Sequence, residues 1–346
     1  MARHYNLRLR GGPRSTTTRW GKALVWVVIV FVVSTYVVIS NSGSDQYRLP
    51  IFQWLLGDFF GDNSETSQYT QNGNMTWEQI QKIRVNHLVR ACQGLNLNQT
   101  VDAVVRKHIL VDTRHKVLMC FVPKVACTSW KRIWFWLAGL LEEDENIMDL
   151  TRSQVHGKFL PTLSSVKFVE RERLEFLATY KKFLFTRHPL HRLISAYRDK
   201  LEHIDKESNF DFHKHVGQEV ESMMRGKVTG GHNITFQEFI RWVTPPNGTW
   251  TMAQQNEHWR PIVELCAPCA IQYDAVGRYE NFQHDANETL YWMGAGELAD
   301  RFPPPDRAFH ASQQLQKYES SLTSQDKLQF LRTYLLDFLL FGYDMP

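Results

Sequence analysis

Hydrophobic residues in this chain fall into runs and stripes of distinct period. The longest run, Ala23 to Ile39, is 17 residues without a charge, just long enough to cross a bilayer. The next segment, to about residue 79, is rich in Ser, Asn, Gln and Gly, a composition that cannot bury a core. One apolar island, Leu49 to Leu56, interrupts it. From Trp77 the apolar positions recur at steps of three and four (Trp77, Ile80, Ile83, Leu88, Ala91), which predicts a helix and the start of the folded domain. Val117 to Val122 is an unbroken apolar run ended by Pro123, the pattern of a buried strand. Trp130 to Leu141 is apolar almost all round, as in a helix packed behind a sheet. Phe183 to Thr186 reads as a second strand and Ile271 to Val276 as a third. Between them, Leu190, Leu193, Ile194, Tyr197 and Leu201 mark one face of a helix opened by Pro189. Asp326 to Phe341 reads as a closing amphipathic helix. Strands alternating with helices predict an α/β fold with a central, mainly parallel sheet flanked by helices. In such folds ligands bind outside the carboxyl ends of the strands, where Lys124 and Arg187 both lie.

The polar breaks carry the chemistry. After the first strand come Pro123, Lys124, Val125, Ala126, Cys127, Thr128 and Ser129. A strand, a basic loop and a helix start aim backbone N–H groups and a helix N-terminus at one point, which suits a phosphate or sulfate. The glycines of the nucleotide-binding G-x-x-x-x-G-K-[ST] loop are absent. Alone, the stretch also fits an ordinary turn with a surface lysine. Arg187 follows the second strand directly, and Ser195 lies eight residues on.

Charge and glycosylation triplets set the topology. Residues 1–22 carry six basic residues and no acid; removing them from 40 leaves 34 basic against 36 acidic residues, a net of −2. The basicity therefore belongs to the tail and gives no support to nucleic-acid binding. By the positive-inside rule the tail is cytosolic and the remainder lies across the membrane. A cleaved signal peptide is the competing reading, with a shorter apolar core; a retained anchor is favoured. The expected organisation is a tail (1–22), a single-pass type II signal-anchor (23–39), a lumenal stem (40–79) and a catalytic domain (80–346). N-x-[ST] triplets occur at Asn74, Asn98, Asn233, Asn247 and Asn287, all beyond the anchor, as in a lumenal glycoprotein. Of the five cysteines, Cys120 and Cys127 read as free thiols. Cys266 and Cys269 read as disulfide partners of some kind, with Cys92 within the possible set.

The two units, PKVACTSW and FLFTRHPLHRLISAYRDK, resemble the Golgi carbohydrate sulfotransferases, with the chondroitin and dermatan 4-O-sulfotransferase branch nearest. The likeness extends to residues 108–124, Glu257-His258-Trp259, residues 265–280 and residues 336–343. It implies a P-loop-like sulfotransferase fold and 3′-phosphoadenosine 5′-phosphosulfate (PAPS) as sulfuryl donor. The 5′-phosphosulfate would be held by Pro123 to Ser129, and the 3′-phosphate by Arg187 and Ser195. The sequence departs from the branch at His188, where Glu is common, and at Ser129, where Asn is common; neither change removes a phosphate ligand.

The resemblance implies transfer to a glycan hydroxyl, most directly the 4-O position of N-acetylgalactosamine in chondroitin or dermatan. Glucuronyl 3-O and terminal N-acetylgalactosamine 4-O acceptors stay open, as does a non-catalytic, membrane-anchored glycan-binding glycoprotein. Lys124 is the expected stabiliser of the leaving phosphate. A general base is needed, and histidine suits the task; His156 is the first candidate and His258 the second. Lys158, Lys167, Arg171 and Arg173 either line a groove for an acidic glycan or form a solvated helix face. No metal is expected, since the chain has neither a D-x-D pair nor a histidine–carboxylate cluster at ligand spacing.

Overall fold

The computed structural model describes residues 75–141, 146–157, 159–202, 212–246, 248, 250–302 and 312–345. The expected tail, anchor and most of the stem lie outside these, as do Asn74, Lys158 and Asn247. Among the described residues no helix is long and apolar enough to cross a membrane.

Helix α1 (Trp77–Leu95) begins where the periodicity places it, with Thr76 and Gln79 forming a reciprocal capping box. Its buried face differs from the apolar stripe, because it includes Gln81 and Arg84. Helix α2 (Ala103–His108) leads into strand β1 (Ile109–Asp112), and a tight turn returns as β2 (Val117–Cys120). Asp112 closes the turn by accepting the N–H groups of Arg114 and His115. Next come helices α3 (Cys127–Leu137), α4 (Arg152–Gly157) and α5 (Glu170–Thr179), then strand β3 (Lys181–Thr186). Helix α6 (Pro189–Tyr197) runs into a π-helical turn at Arg198–Glu202. Helices α7 (Gln218–Arg225), α8 (Phe236–Val243), α9 (Ile262–Cys266) and α10 (Pro268–Ile271) precede strand β4 (Ala275–Arg278). Helices α11 (Phe282–Met293), α12 (Ser312–Ser320) and α13 (Ser324–Phe341) complete the described chain.

The sheet order is β1-β2-β3-β4. β2 pairs with β3, and β3 with β4, in parallel; β1 pairs with β2 antiparallel. The mainly parallel sheet is as expected, but β1 was not foreseen and the third strand starts later, at Ala275, because Pro268–Ile271 is helical. The outer edge of β4 is closed by side chains of α1. Gln81 accepts the Val276 N–H, and Arg84 donates to the Val276 carbonyl while pairing with buried Asp285 at 2.6 Å. An open strand edge is an aggregation liability, and these two buried polar residues cover it. Gly277 is required by packing, since a Cβ there would lie 2.4 Å from the Phe185 ring.

Behind the sheet, α3 inserts Trp130 between Phe183, Phe185 and Phe302, with ring centroids 5.1, 5.1 and 4.8 Å away. A second apolar cluster joins α6, α8 and α13 through Leu193, Tyr197, Phe239, Trp242, Trp259 and Phe338. Together these layers hold the first turn of α3 and the start of α6 beside the carboxyl ends of β2 and β3.

The cysteines correct one expectation. Cys92 is bonded to Cys269, and Cys120 to Cys266, which leaves Cys127 as the free thiol. Cys120 is therefore no free thiol. Its bridge ties the strand that feeds the basic loop to α9.

Candidate active site

Three parallel strands deliver three chain segments to one edge of the sheet: Pro123–Ser129 after β2, Arg187 after β3 and Tyr279 after β4. In the first segment Lys124 and Ala126 both adopt left-handed backbone conformations, with φ of 71° and 52°. Non-glycine residues rarely do so, and such strain gathers at ligand sites. The chain thus makes without glycine the tight loop that nucleotide-binding motifs make with it. Helix α3 starts from Ala126 with no side-chain cap on its first turn, so its orphan N–H groups and dipole favour an anion.

The lysine and arginine meet there. Arg187 is 4% exposed and donates from Nη1 to the Lys124 carbonyl at 2.9 Å. Its guanidinium also lies 4.1 Å over the Tyr279 ring. Burial lowers its proton affinity, while Tyr279 and Glu280 oppose that. The neighbouring Pro123 carbonyl is held by a second arginine on α6. Arg192, 1% exposed, donates to the carbonyls of Pro123, Arg260 and Glu257 at 3.0, 2.6 and 2.9 Å. Two arginines from the second strand–helix unit therefore grip consecutive carbonyls of the first.

Lys124 points its ammonium at Asp199, 3.0 Å away in the π-helical turn. Burial pushes the lysine down to about 8 and Asp199 counters it, so the ammonium stays charged at neutral pH. Asp199 also accepts both terminal nitrogens of Arg152 at 3.0 and 2.8 Å, with the Lys200 ammonium at 3.6 Å. Burial raises its carboxyl, but Arg152, Lys124 and Lys200 outweigh this and hold it far below the usual carboxylate range.

Arg152 and His156 sit on the same short helix, α4. His156 Nε2 lies 3.2 Å from the Thr128 hydroxyl. Partial desolvation, followed by the charges of Lys131, Arg152 and Lys200, pulls its imidazole down to about 4. The ring is thus a neutral base around pH 7. His258 is held by Asn256, with Nδ1 and Oδ1 2.8 Å apart, and burial and then Lys200 push it down to about 3. The adjoining Glu257 pairs with His108 at 3.1 Å.

The remaining expected residues fall as follows. Ser129 is buried in the first turn of α3, Val125 is buried in the loop, and Cys127 is half-buried at the helix start. Ser195 is half-buried on α6, one turn before Asp199. Of the basic residues proposed for a groove, Arg173 is engaged with Glu170 and the Ser165 carbonyl, and Lys167 lies over the Phe168 ring. Asn98 and Asn233 are exposed, whereas Asn287 is half-buried on α11 with Thr289 of its triplet buried. Among the described residues no group of three or more His, Cys, Asp or Glu is arranged to hold a metal ion. Asp199, Arg152 and Arg192 were not singled out in the sequence. The available signal was a charged triplet, Arg198-Asp199-Lys200, directly after an apolar helix face.

The sulfotransferase family profile matches residues 107–344, a span containing every residue of this cluster. The chain belongs to the sulfotransferase family. As a member of that family it is similar to human carbohydrate sulfotransferase 14, 38% identical over 246 residues, which is 69% of this chain and 61% of that protein. It is also similar to mouse carbohydrate sulfotransferase 11, 33% identical over 247 residues covering 69% and 68% of the two chains. Mouse carbohydrate sulfotransferase 8 is 32% identical over 281 residues, 78% of this chain and 64% of its own. The match thus spans about three-fifths of the human relative. No solved structure matches the chain.

Proposed function

We propose that this protein transfers a sulfuryl group from PAPS to a sugar hydroxyl of a glycan. The observation that carries the reading is the pairing of two cations, half-buried Lys124 and buried Arg187, at the carboxyl ends of adjacent parallel strands, linked through the Lys124 carbonyl at 2.9 Å. The donor has two phosphate groups, and we assign residues to each. The uncapped start of α3 with Lys124 and Thr128 suits the 5′-phosphosulfate; Arg187 with Ser195 suits the 3′-phosphate. When bound, the donor supplies an activated sulfuryl group next to a phosphate leaving group.

The protein's part is positioning and charge. Lys124 meets the negative charge that grows on the leaving phosphate. Thr128 holds His156 at the loop, and the neutral imidazole accepts the proton of the attacking hydroxyl. The acceptor we propose is position 4 of N-acetylgalactosamine in chondroitin or dermatan, on the motif resemblance. The chain's similarity to carbohydrate sulfotransferases supports carbohydrate as the acceptor class. We place the enzyme in the Golgi membrane as a single-pass type II glycoprotein, on the strength of residues 23–39 and the asparagine triplets.

The test is transfer of radiolabelled sulfate from PAPS to a panel of desulfated glycans, with disaccharide analysis of the product. Label at the 4-O position of N-acetylgalactosamine is expected. Label on glucuronyl 3-O or on terminal N-acetylgalactosamine would reassign the acceptor. Glycan binding without any transfer would overturn the enzymatic reading.

A further inference from the structure

One carboxylate contacts both halves of the catalytic apparatus. Asp199 lies 3.0 Å from the Lys124 ammonium and accepts the two terminal nitrogens of Arg152 at 3.0 and 2.8 Å. Arg152 opens the six-residue helix α4 that carries His156, and His156 lies 3.2 Å from Thr128 on the helix that follows Lys124. The contacts close a ring: Lys124, Asp199, Arg152, α4, His156, Thr128 and back through the loop. Asp199 is 8% exposed, while the Arg152 side chain is 47% exposed. The carboxylate is thus fixed inside the protein, and it is α4 that is drawn down to it. The same ring crosses elements distant in sequence, since α4 otherwise lies on a surface stretch.

Resting on the sulfotransferase reading above, we propose that Asp199 is a positioning residue that sets Lys124 and His156 in register with each other. Its carboxylate aims the ammonium and, through the paired guanidinium, docks the helix that bears the base. Two consequences follow from charge. The carboxylate sits beside the place assigned to the donor's 5′-phosphosulfate, so it repels the donor slightly while holding Lys124 there. At a pH low enough to keep the Lys124 ammonium charged without its partner, removing that carboxylate's charge leaves donor affinity intact or tighter, yet loosens the alignment on which turnover depends. A residue that served only the fold would not split the two quantities in this way.

The experiment compares full-length wild type, Asp199→Asn, Arg152→Gln and the double variant. Each is assayed for PAPS-dependent transfer, for binding of 3′-phosphoadenosine 5′-phosphate (PAP) and for thermal midpoint. Asp199→Asn is expected to lower kcat about 100-fold, the cost of misplacing reacting groups by about 1 Å, with a PAP Kd no weaker than wild type. Arg152→Gln is expected to lower kcat about tenfold, with the double variant no slower than Asp199→Asn alone, because contacting residues are not additive. A kcat for Asp199→Asn at the wild-type level overturns the proposal, as do parallel losses of kcat and PAP affinity or fully additive losses. Should Asp199→Asn fail to fold, Arg152→Gln decides, since an unchanged kcat there removes the link to His156. Wild type that neither binds PAP nor transfers sulfate would instead refute the functional reading itself.

Discussion

Arg192 offers the sharpest test of how the site is built. Its guanidinium is fully enclosed and donates to three main-chain carbonyls, at 3.0 Å to Pro123, 2.6 Å to Arg260 and 2.9 Å to Glu257. Burial lowers its proton affinity, with Asp337 as the largest opposing influence. Replacing it with Met keeps most of the volume and removes every donor. Hydrogen bonds from a charged group contribute about 1.5–3 kcal/mol each. Against that, the guanidinium no longer has to be desolvated, a cost of several kcal/mol. The Glu257 and Arg260 residues are only half-buried, so water can reach part of what is freed. The Pro123 carbonyl, deep behind the loop, is left without its donor. A net loss of about 3 kcal/mol is expected, the three lost bonds less the desolvation that is relieved. Such a variant stays folded if the protein has an ordinary stability of about 5–15 kcal/mol. The loop keeps its Arg187 anchor but loses the one on Pro123, and a further ~1.4 kcal/mol spent re-ordering it would weaken PAP binding about tenfold. Urea unfolding followed by tryptophan fluorescence measures the first quantity, and calorimetric titration with PAP the second. Arg192→Lys should fall between, since an ammonium cannot reach all three carbonyls in the same fork geometry. Wild-type stability together with wild-type PAP affinity in Arg192→Met would refute the view that this arginine holds the loop.

Other outcomes follow from the same contacts. Arg187→Ala should weaken PAP binding about 100-fold, equivalent to ~2.7 kcal/mol for a lost charged fork, and calorimetry reads it directly. His156, pulled down to about 4, should give kcat/KM an acidic limb well below pH 6.5; a limb at an ordinary histidine value would exclude it as the base. Acid stability has a defined sign. His156, His191 and His258 have folded values of about 4, 3 and 3, all below the unfolded value, so the unfolded chain binds more protons and stability falls as pH drops from 6.5 toward 4. Asp337, raised to about 6 by burial, acts oppositely, its contribution being lost as pH rises through 6; Asp337→Asn should therefore steepen the acid loss seen in urea melts. Thiol titration of the denatured, unreduced protein should find one reactive cysteine, Cys127; a count of three would show that one of the two bridges is absent, and a count of five that both are.

Much of the donor loop was legible in sequence because its signals are local. An apolar run, a proline and a lysine occupy adjacent positions, and the Arg187–Ser195 spacing repeats the logic on the next strand. What escaped were contacts between charged residues far apart in the chain. Gln81 and Arg84 interrupt the apolar stripe of α1, yet they are buried because β4 needs its edge closed. Arg192 sits on a helix with the apolar residues Leu190, Leu193 and Ile194, and its three partners are carbonyls, which leave no mark in a residue pattern. Asp199 lies between two basic residues and reads as a solvated surface triplet. Cys120 looked like one more apolar strand residue, and its partner is 146 positions away. Strand β1 is only four residues long and follows a helix without a break, so no periodicity separates it.

Lys124 is the residue on which sulfuryl transfer depends most directly. Its side chain is largely shielded from solvent, and its charged ammonium lies 3.0 Å from Asp199, in the turn that follows the second strand–helix unit. The deciding measurement is sulfate transfer from PAPS to chondroitin by full-length Lys124→Ala, alongside its thermal midpoint. A folded protein is expected, with a transfer rate at least about 100-fold lower, the scale of losing one donor to the developing charge. A folded Lys124→Ala protein that transfers sulfate at the wild-type rate would contradict that role.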